Sequence, residues 1–223
     1  MAGALIREFC AENFEQVPAA VAAGASRIEL CDNLAVGGTT PSGGVIRETV
    51  EYCHARGVQV MCMIRPRGGS FEYDMVEARI MSFDLKAAAA AGVDGVVVGC
   101  LRGGHIDRIF GKSFVDMAKR AGLQVTFHMA FDALPEGDRL PVIDLLARWG
   151  VDRVLTHGGA AGTPIEENLA TLKRYVDYAA GRIIILPGGG ITWENAGAVA
   201  EALGVGEVHG TRIAPLAKGQ PPI

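Results

Sequence analysis

The feature that most constrains this chain is a glycine that returns once per structural unit. At Gly24, Gly57, Gly92, Gly122, Gly150, Gly181 and Gly204 an amphipathic stretch gives way, within a few residues, to a short β-branched run. A residue just past a helix favours positive φ, where a Cβ costs energy and glycine does not. Each glycine therefore predicts a helix end. The runs that follow, at 27–30, 58–64, 95–98, 123–127, 151–155, 182–186 and 207–209, have the length and branching of buried strands. The opening run 4–9 brings the strands to eight. Helices are predicted over 14–23, 42–56, 73–91, 106–121, 139–149, 164–180 and 192–203.

Strict alternation of strand and helix implies a parallel sheet, and eight such units favour closure into a (β/α)8 TIM-type barrel over an open doubly wound sheet. The barrel is expected over residues 1–210 as one domain. Residues 211–223 carry Pro215, Pro221 and Pro222 and predict a short tail, with the last helix short or missing.

Composition removes several function classes. A net charge of −4 gives no basic footprint for nucleic acid. The longest apolar stretches, at 87–93 and 183–190, are too short to span a membrane. Arg7 and Glu8 interrupt the start, so no secretory signal is expected. Five cysteines at irregular spacings, with no Cys-x-x-Cys pair, predict reduced thiols in a cytoplasmic protein.

In a parallel barrel the functional groups stand where strands end. A period of two places Glu8 and Cys10 on one face, then Glu29 with Cys31, Met61 and Met63 with Arg65, Thr126 with His128, and Glu207 with His209. Several strands thus bring an ionisable group to one end of the inner face. They form either a site or a plug in which Glu8 or Glu29 pairs with Arg65. The loops add Gly158, Gly159, Gly188, Gly189, Gly190 and Gly210, which are candidates, with Arg67, for holding an anion on backbone N–H groups. Gly111-Lys112-Ser113 looks like the end of a P-loop, but Ile106 stands where that motif needs glycine. No lysine falls at a predicted strand end, which argues against Schiff-base aldolase chemistry.

At Arg27-Ile28-Glu29-Leu30-Cys31, Met63-Ile64-Arg65-Pro66-Arg67-Gly68-Gly69, Thr126-Phe127-His128-Met129-Ala130-Phe131-Asp132 and Glu207-Val208-His209-Gly210 the chain resembles the CutC family, named for copper homeostasis. The likeness runs through nearly the whole chain. Met129 stands where many members have Arg, and His157 where many have Ser. The resemblance implies a TIM barrel, a cytoplasmic location and self-association as a dimer or tetramer.

Two functions fit these residues. In the first, Cys10 and Cys31 end adjacent strands, each two residues after a glutamate, and their thiolates hold Cu(I) with Met61 or Met63 nearby. In the second, the protein is an isomerase, epimerase or lyase acting on a small anionic sugar or polyol. Glu8 or Glu29 then serves as general base and His128 as acid, Arg65 and Arg67 hold the anion, and His209 is a further catalytic candidate. The partner is a metal ion or a small anion in either case, with no nucleic acid and no membrane. A missing last helix would leave apolar surface beside the first and last strands, for a second copy to cover.

Overall fold

The alternation along the sequence becomes a ring. The computed structural model describes residues 4–160 and 162–216. Its strands are β1 (Ile6–Glu12), β2 (Arg27–Cys31), β3 (Gln59–Met63), β4 (Gly95–Val98), β5 (Leu101–Arg102), β6 (His105–Ile106), β7 (Gln124–Phe127), β8 (Arg153–Thr156), β9 (Ile184–Pro187) and β10 (Glu207–Gly210). Eight of them form one parallel sheet in the order β10-β1-β2-β3-β4-β7-β8-β9, a nearly closed barrel. The helices are α1 (Val17–Ala22), α2 (Gly43–His54), α3 (Met75–Ala90), α4 (Phe110–Arg120), α5 (Glu136–Trp149), α6 (Leu169–Ala179) and α7 (Ala196–Leu203). All seven marker glycines have positive φ, and Gly150 and Gly204 cap α5 and α7 directly.

Boundaries move where a local interaction outweighs periodicity. β1 runs on to Glu12 because Glu8, Cys10 and Glu12 continue the inward alternation. α3 starts at Met75, where Asp74 and Glu77 form a reciprocal capping box. α4 starts four residues later than predicted. Leu101–Arg102 and His105–Ile106 pair as a hairpin across Gly103 and Gly104, whose φ values of +59° and +76° suit a tight two-residue turn. Among the described residues nothing helical follows β10, as predicted, and Pro221 and Pro222 lie outside them.

The expected bare flank is not there. Phe9 on β1 and Val208 on β10 are fully buried, in the same cluster as Ile213 and Ala214, so the outer core is covered at this seam. The exposed apolar side chains stand elsewhere, chiefly Met75, Val76, Ile80 and Phe83 on α3.

Outward strand residues such as Ile28, Leu30, Val60, Val96 and Ile185 pack under the helices. Each such burial contributes about 1.5–3 kcal/mol. Inside the barrel a separate cluster joins Cys10, Cys31, Met61, Met63 and Val97. Met61 fills the barrel axis because Gly95 leaves room for it; a Cβ at Gly95 would strike the Met61 thioether and would stand 2.7 Å from the Gln124 carbonyl oxygen. We therefore expect Gly95→Ala to lower stability in urea unfolding by about 1–3 kcal/mol. Gly44→Ala, in α2 with open space around it, should be neutral or stabilising. Equal effects of the two would disprove the crowding at Gly95.

Candidate functional site

The floor of the barrel is an ion net built from Glu8 on β1 and the first residues of β2, β7, β8 and β10. Arg27 is fully buried. Its Nε donates to Glu8, and its Nη2 donates to Glu207 at 2.6 Å. Arg153 donates from Nε to the same Glu207 carboxylate at 2.6 Å and from Nη1 to Gln124 at 2.6 Å. Burial alone would raise the Glu8 carboxyl, but the Arg27 charge and the His209 hydrogen bond hold it at about 2. Glu8 thus pairs with Arg27 and His209, not with Arg65 as a polar plug would have it. With both its oxygens engaged, Glu8 is poorly placed to act as a base.

His209 joins the floor to the chamber above. Its Nδ1 lies 2.8 Å from Glu8 and its Nε2 3.6 Å from Glu29. Burial disfavours its charge, yet Glu29, Cys10 and Glu8 together raise its pKa well above the ordinary value. Ligand atoms of Glu8, Glu29 and His209 lie within 4.8 Å of one another. His209 stands between these carboxylates, so a divalent ion there would have to displace the contacts it makes to them.

Above the floor is a cavity of about 190 Å³ lined by Cys10, Glu29, Cys31, Arg65, His128 and His209 among others. The register between β1 and β2 sets Cys10 opposite Glu29 and Cys31 opposite Glu12. The two cysteines are therefore staggered by one inward step, not level as their equal distance from a glutamate predicts. Their Sγ atoms and a Glu29 oxygen still lie within 4.8 Å of one another. The Cys31 thiol donates to Glu29 Oε2 at 3.7 Å, while Glu29 Oε1 is buried with no partner. Burial raises the Glu29 pKa against the pull of His209. The hydrogen bond with Cys10 pulls the Cys31 thiol down, but burial and the Glu29 charge push it to about 11. Cys10 is raised well above the usual thiol range by its hydrogen bond with Cys31, with burial adding to it.

His128 and Arg65 follow β7 and β3. His128 Nδ1 accepts the Ala130 N–H at 3.1 Å, which leaves its own proton on Nε2. Burial, and then the nearby Arg65 charge, lower its pKa to about 3, so the ring is neutral. The Arg65 guanidinium ties down the loops at Val36, Gly38 and Gly69. Gly37 allows this close approach: a Cβ there would lie 3.2 Å from Arg65 Nη1.

Arg67 is not brought to this cavity. It is held by Glu77 and by the carbonyls of Gly68, Ser70 and Glu72. The loop glycines serve close packing. A Cβ at Gly158 would meet Leu172, one at Gly159 Asn168, one at Gly188 Leu155, one at Gly189 His157, and one at Gly210 the Ile191 carbonyl. Gly189 and Gly190 also line a second, more open cavity of about 370 Å³ with Met129, His157 and Thr163. His157 is satisfied there, with Nδ1 3.1 Å from the Gly188 carbonyl oxygen and Nε2 2.9 Å from Asn168 Nδ2.

Sequence reasoning did not single out Arg27, Arg153 or Asp132. The first lies two residues before Glu29, so the period of two already pointed inward. Asp132 accepts the Thr156 hydroxyl and the His157 N–H, a tertiary link with no local signal.

The fold and this chamber define a (β/α)8-barrel protein with a partly open cavity lined by thiol, carboxylate, guanidinium and imidazole groups. Barrels such as a deoxyribose phosphate aldolase from Aeropyrum pernix share the fold alone, at a TM-score of 0.67 and 14% identity. Residues 5–214 match the CutC family, and the chain belongs to it. It is 55% identical to a family protein CutC of Enterococcus faecalis over 210 residues, 94% of this chain and 100% of that one. It is 39% identical to the human copper homeostasis protein cutC homolog over 209 residues, covering 93% of this chain and 73% of the human one. A CutC crystal structure from Streptococcus agalactiae superposes at a TM-score of 0.90 with 46% identity, over 94% of this chain and 100% of that one.

Proposed function

We propose that the chain serves copper homeostasis by holding one Cu(I) ion between the Cys10 and Cys31 thiolates. One observation carries this reading: two buried thiols, with Sγ atoms within 4.8 Å of one another, share an interior cluster with the thioethers of Met61 and Met63. Soft sulfur donors select Cu(I) over harder ions. When bound, the ion would supply soft Lewis acidity. The protein's part is to deliver and receive protons. Both thiols stand above their ordinary range, so each must lose a proton for the ion to enter. Glu29, already accepting from Cys31, is the adjacent group that takes part in that transfer.

The five buried, unpaired cysteines support a reducing, cytoplasmic setting. No helix among the described residues is long and apolar enough to cross a membrane. The exposed apolar face of α3 supports a homo-oligomer.

The expected result is uptake of one Cu(I) equivalent in competition with a chelator, with an affinity that climbs about a hundredfold per pH unit below the thiol pKa values. The Cys10→Ser, Cys31→Ser double variant should lose it. Unchanged affinity in that variant, or an affinity flat with pH, would sink the reading.

A further inference from the structure

Most charges in the barrel interior face an opposite charge; among the described residues the exceptions are Glu12, with one buried carboxylate oxygen unpartnered, and Arg65. Arg27 and Arg153 face Glu8 and Glu207, and His209 faces Glu8 and Glu29. Arg65 is 3% exposed and, among the described residues, has no carboxylate within ion-pair distance. Its Nη1 donates to the Val36 and Gly38 carbonyls and its Nη2 to Gly69, each at 2.9 Å. That commits three of the five guanidinium N–H groups. The Nε–H is buried with no acceptor. The Tyr73 phenol approaches the same guanidinium as a weak partner, outside good hydrogen-bond geometry. Carbonyl dipoles solvate a cation but do not cancel its charge, and a buried charge left so is costly.

The second unpartnered donor is next to it. His128 is also 3% exposed, and with Nδ1 accepting from Ala130 its Nε2–H is buried with no acceptor. The Phe71 ring touches both groups: its centroid is 4.9 Å from Arg65 Cζ and 4.9 Å from the His128 ring centroid. The two residues that carry these donors, one cationic and one neutral, line one cavity, while the donor atoms themselves have almost no accessible surface and become reachable only when a side chain shifts. The cavity's volume of about 190 Å³ equals the bulk of roughly six waters, enough for a compact organic acid.

The geometry points to a binding site at Arg65 and His128 for a small carboxylate that carries an oxygen on the neighbouring carbon, a 2-oxo or 2-hydroxy acid. The carboxylate neutralises Arg65 and takes its free N–H groups, as guanidinium–carboxylate pairs do. The second oxygen accepts from the neutral imidazole. Phosphate fits less well, since it would bring two charges to one unbalanced cation beside the apolar Phe71. This site arises from the ends of β3 and β7, and the thiols from β1 and β2, so it does not rest on the copper reading.

The test is titration of the metal-free protein with pyruvate and with lactate, followed by calorimetry and thermal unfolding. Lactamide serves as the neutral control and inorganic phosphate as the anion control. We expect saturable stabilisation by pyruvate or lactate and none by lactamide. His128→Asn keeps an oxygen to accept the Ala130 N–H but removes the free donor, and should weaken binding about tenfold or more. Arg65→Lys should do the same; if that variant does not fold, His128→Asn and lactamide decide. Absence of saturable binding by both acids, equal binding of lactamide, phosphate binding alone, or unchanged affinity in His128→Asn would each overturn the proposal. Acid binding is read on the metal-free parent protein and Cu(I) uptake in a separate titration, so this reading and the copper reading fail separately.

Discussion

Replacing Arg27 by methionine is expected to remove about 3–5 kcal/mol of folding stability, the usual consequence of taking one partner from a buried ion pair. Arg27 is the only cation that touches Glu8 and Glu207 together among the described residues. Without it Glu207 keeps Arg153, but Glu8 keeps only His209. Two terms then compete. Burial favours the neutral carboxyl, and the Arg27 charge is what chiefly overcomes it to hold Glu8 at about 2. A carboxyl lowered from 4.5 to about 2 contributes stability above pH 4.5 that is lost as pH falls towards 2. In Arg27→Met that contribution is gone, and Glu8 accepts a proton readily. The deficit against the parent should therefore shrink in acid. Urea midpoints near neutrality and near pH 3 measure both effects. A loss below about 1 kcal/mol would show that the net is not needed for stability, and an equal loss at both values would show that Glu8 is not its cause.

A second large effect belongs to His128. The unfolded imidazole titrates near 6.5, whereas burial and Arg65 hold the folded one at about 3. Between these values the unfolded chain binds a proton that the folded chain refuses. Stability therefore rises with pH across the window and falls on acidification, by up to about 1.4 kcal/mol per pH unit. His209 acts with the opposite sign: its raised pKa gives stability that is complete below 6.5 and lost as pH rises through the folded value. Comparing the parent with His128→Asn cancels the His209 contribution. The variant should show a flatter acid limb from pH 6.5 to 3 in urea unfolding. Parallel limbs would mean that His128 is protonated in the folded protein.

The barrel was legible because its punctuation is backbone chemistry. A positive φ past a helix admits glycine cheaply, and that requirement holds whatever the helix packs against. Inner and outer faces were legible too, because strand period is fixed at two: Phe9, Ile28 and Val208 went out, and Glu8, Glu29, Met61 and His209 went in. What failed depended on neighbours in space. Ile106 fits a helical pattern but is held in a hairpin by Gly103 and Gly104. Arg65 and Arg67 stand two apart in one loop, yet Glu77 takes Arg67 outward while three carbonyls draw Arg65 in. The level of Cys31 against Cys10 is set by the stagger between strands, which no single strand encodes. The loop glycines pointed to close approach correctly, but what approaches them is mostly protein.

The ladder joining β10 to β1 has a consequence for synthesis. It pairs Glu8 with His209, 201 positions apart, and it brings Glu207 to Arg27. On the ribosome the first strands emerge long before the last. Until β10 arrives, Arg27 lacks one carboxylate and Glu8 lacks its imidazole, and both are better solvated by water than buried. The floor can close only around a finished chain. His209 also supplies part of the chamber wall, so the sulfur and carboxylate groups gathered there are enclosed only after the final strand is in place. The ion net is thus completed by the last strand, and the two thiols are enclosed no earlier than that.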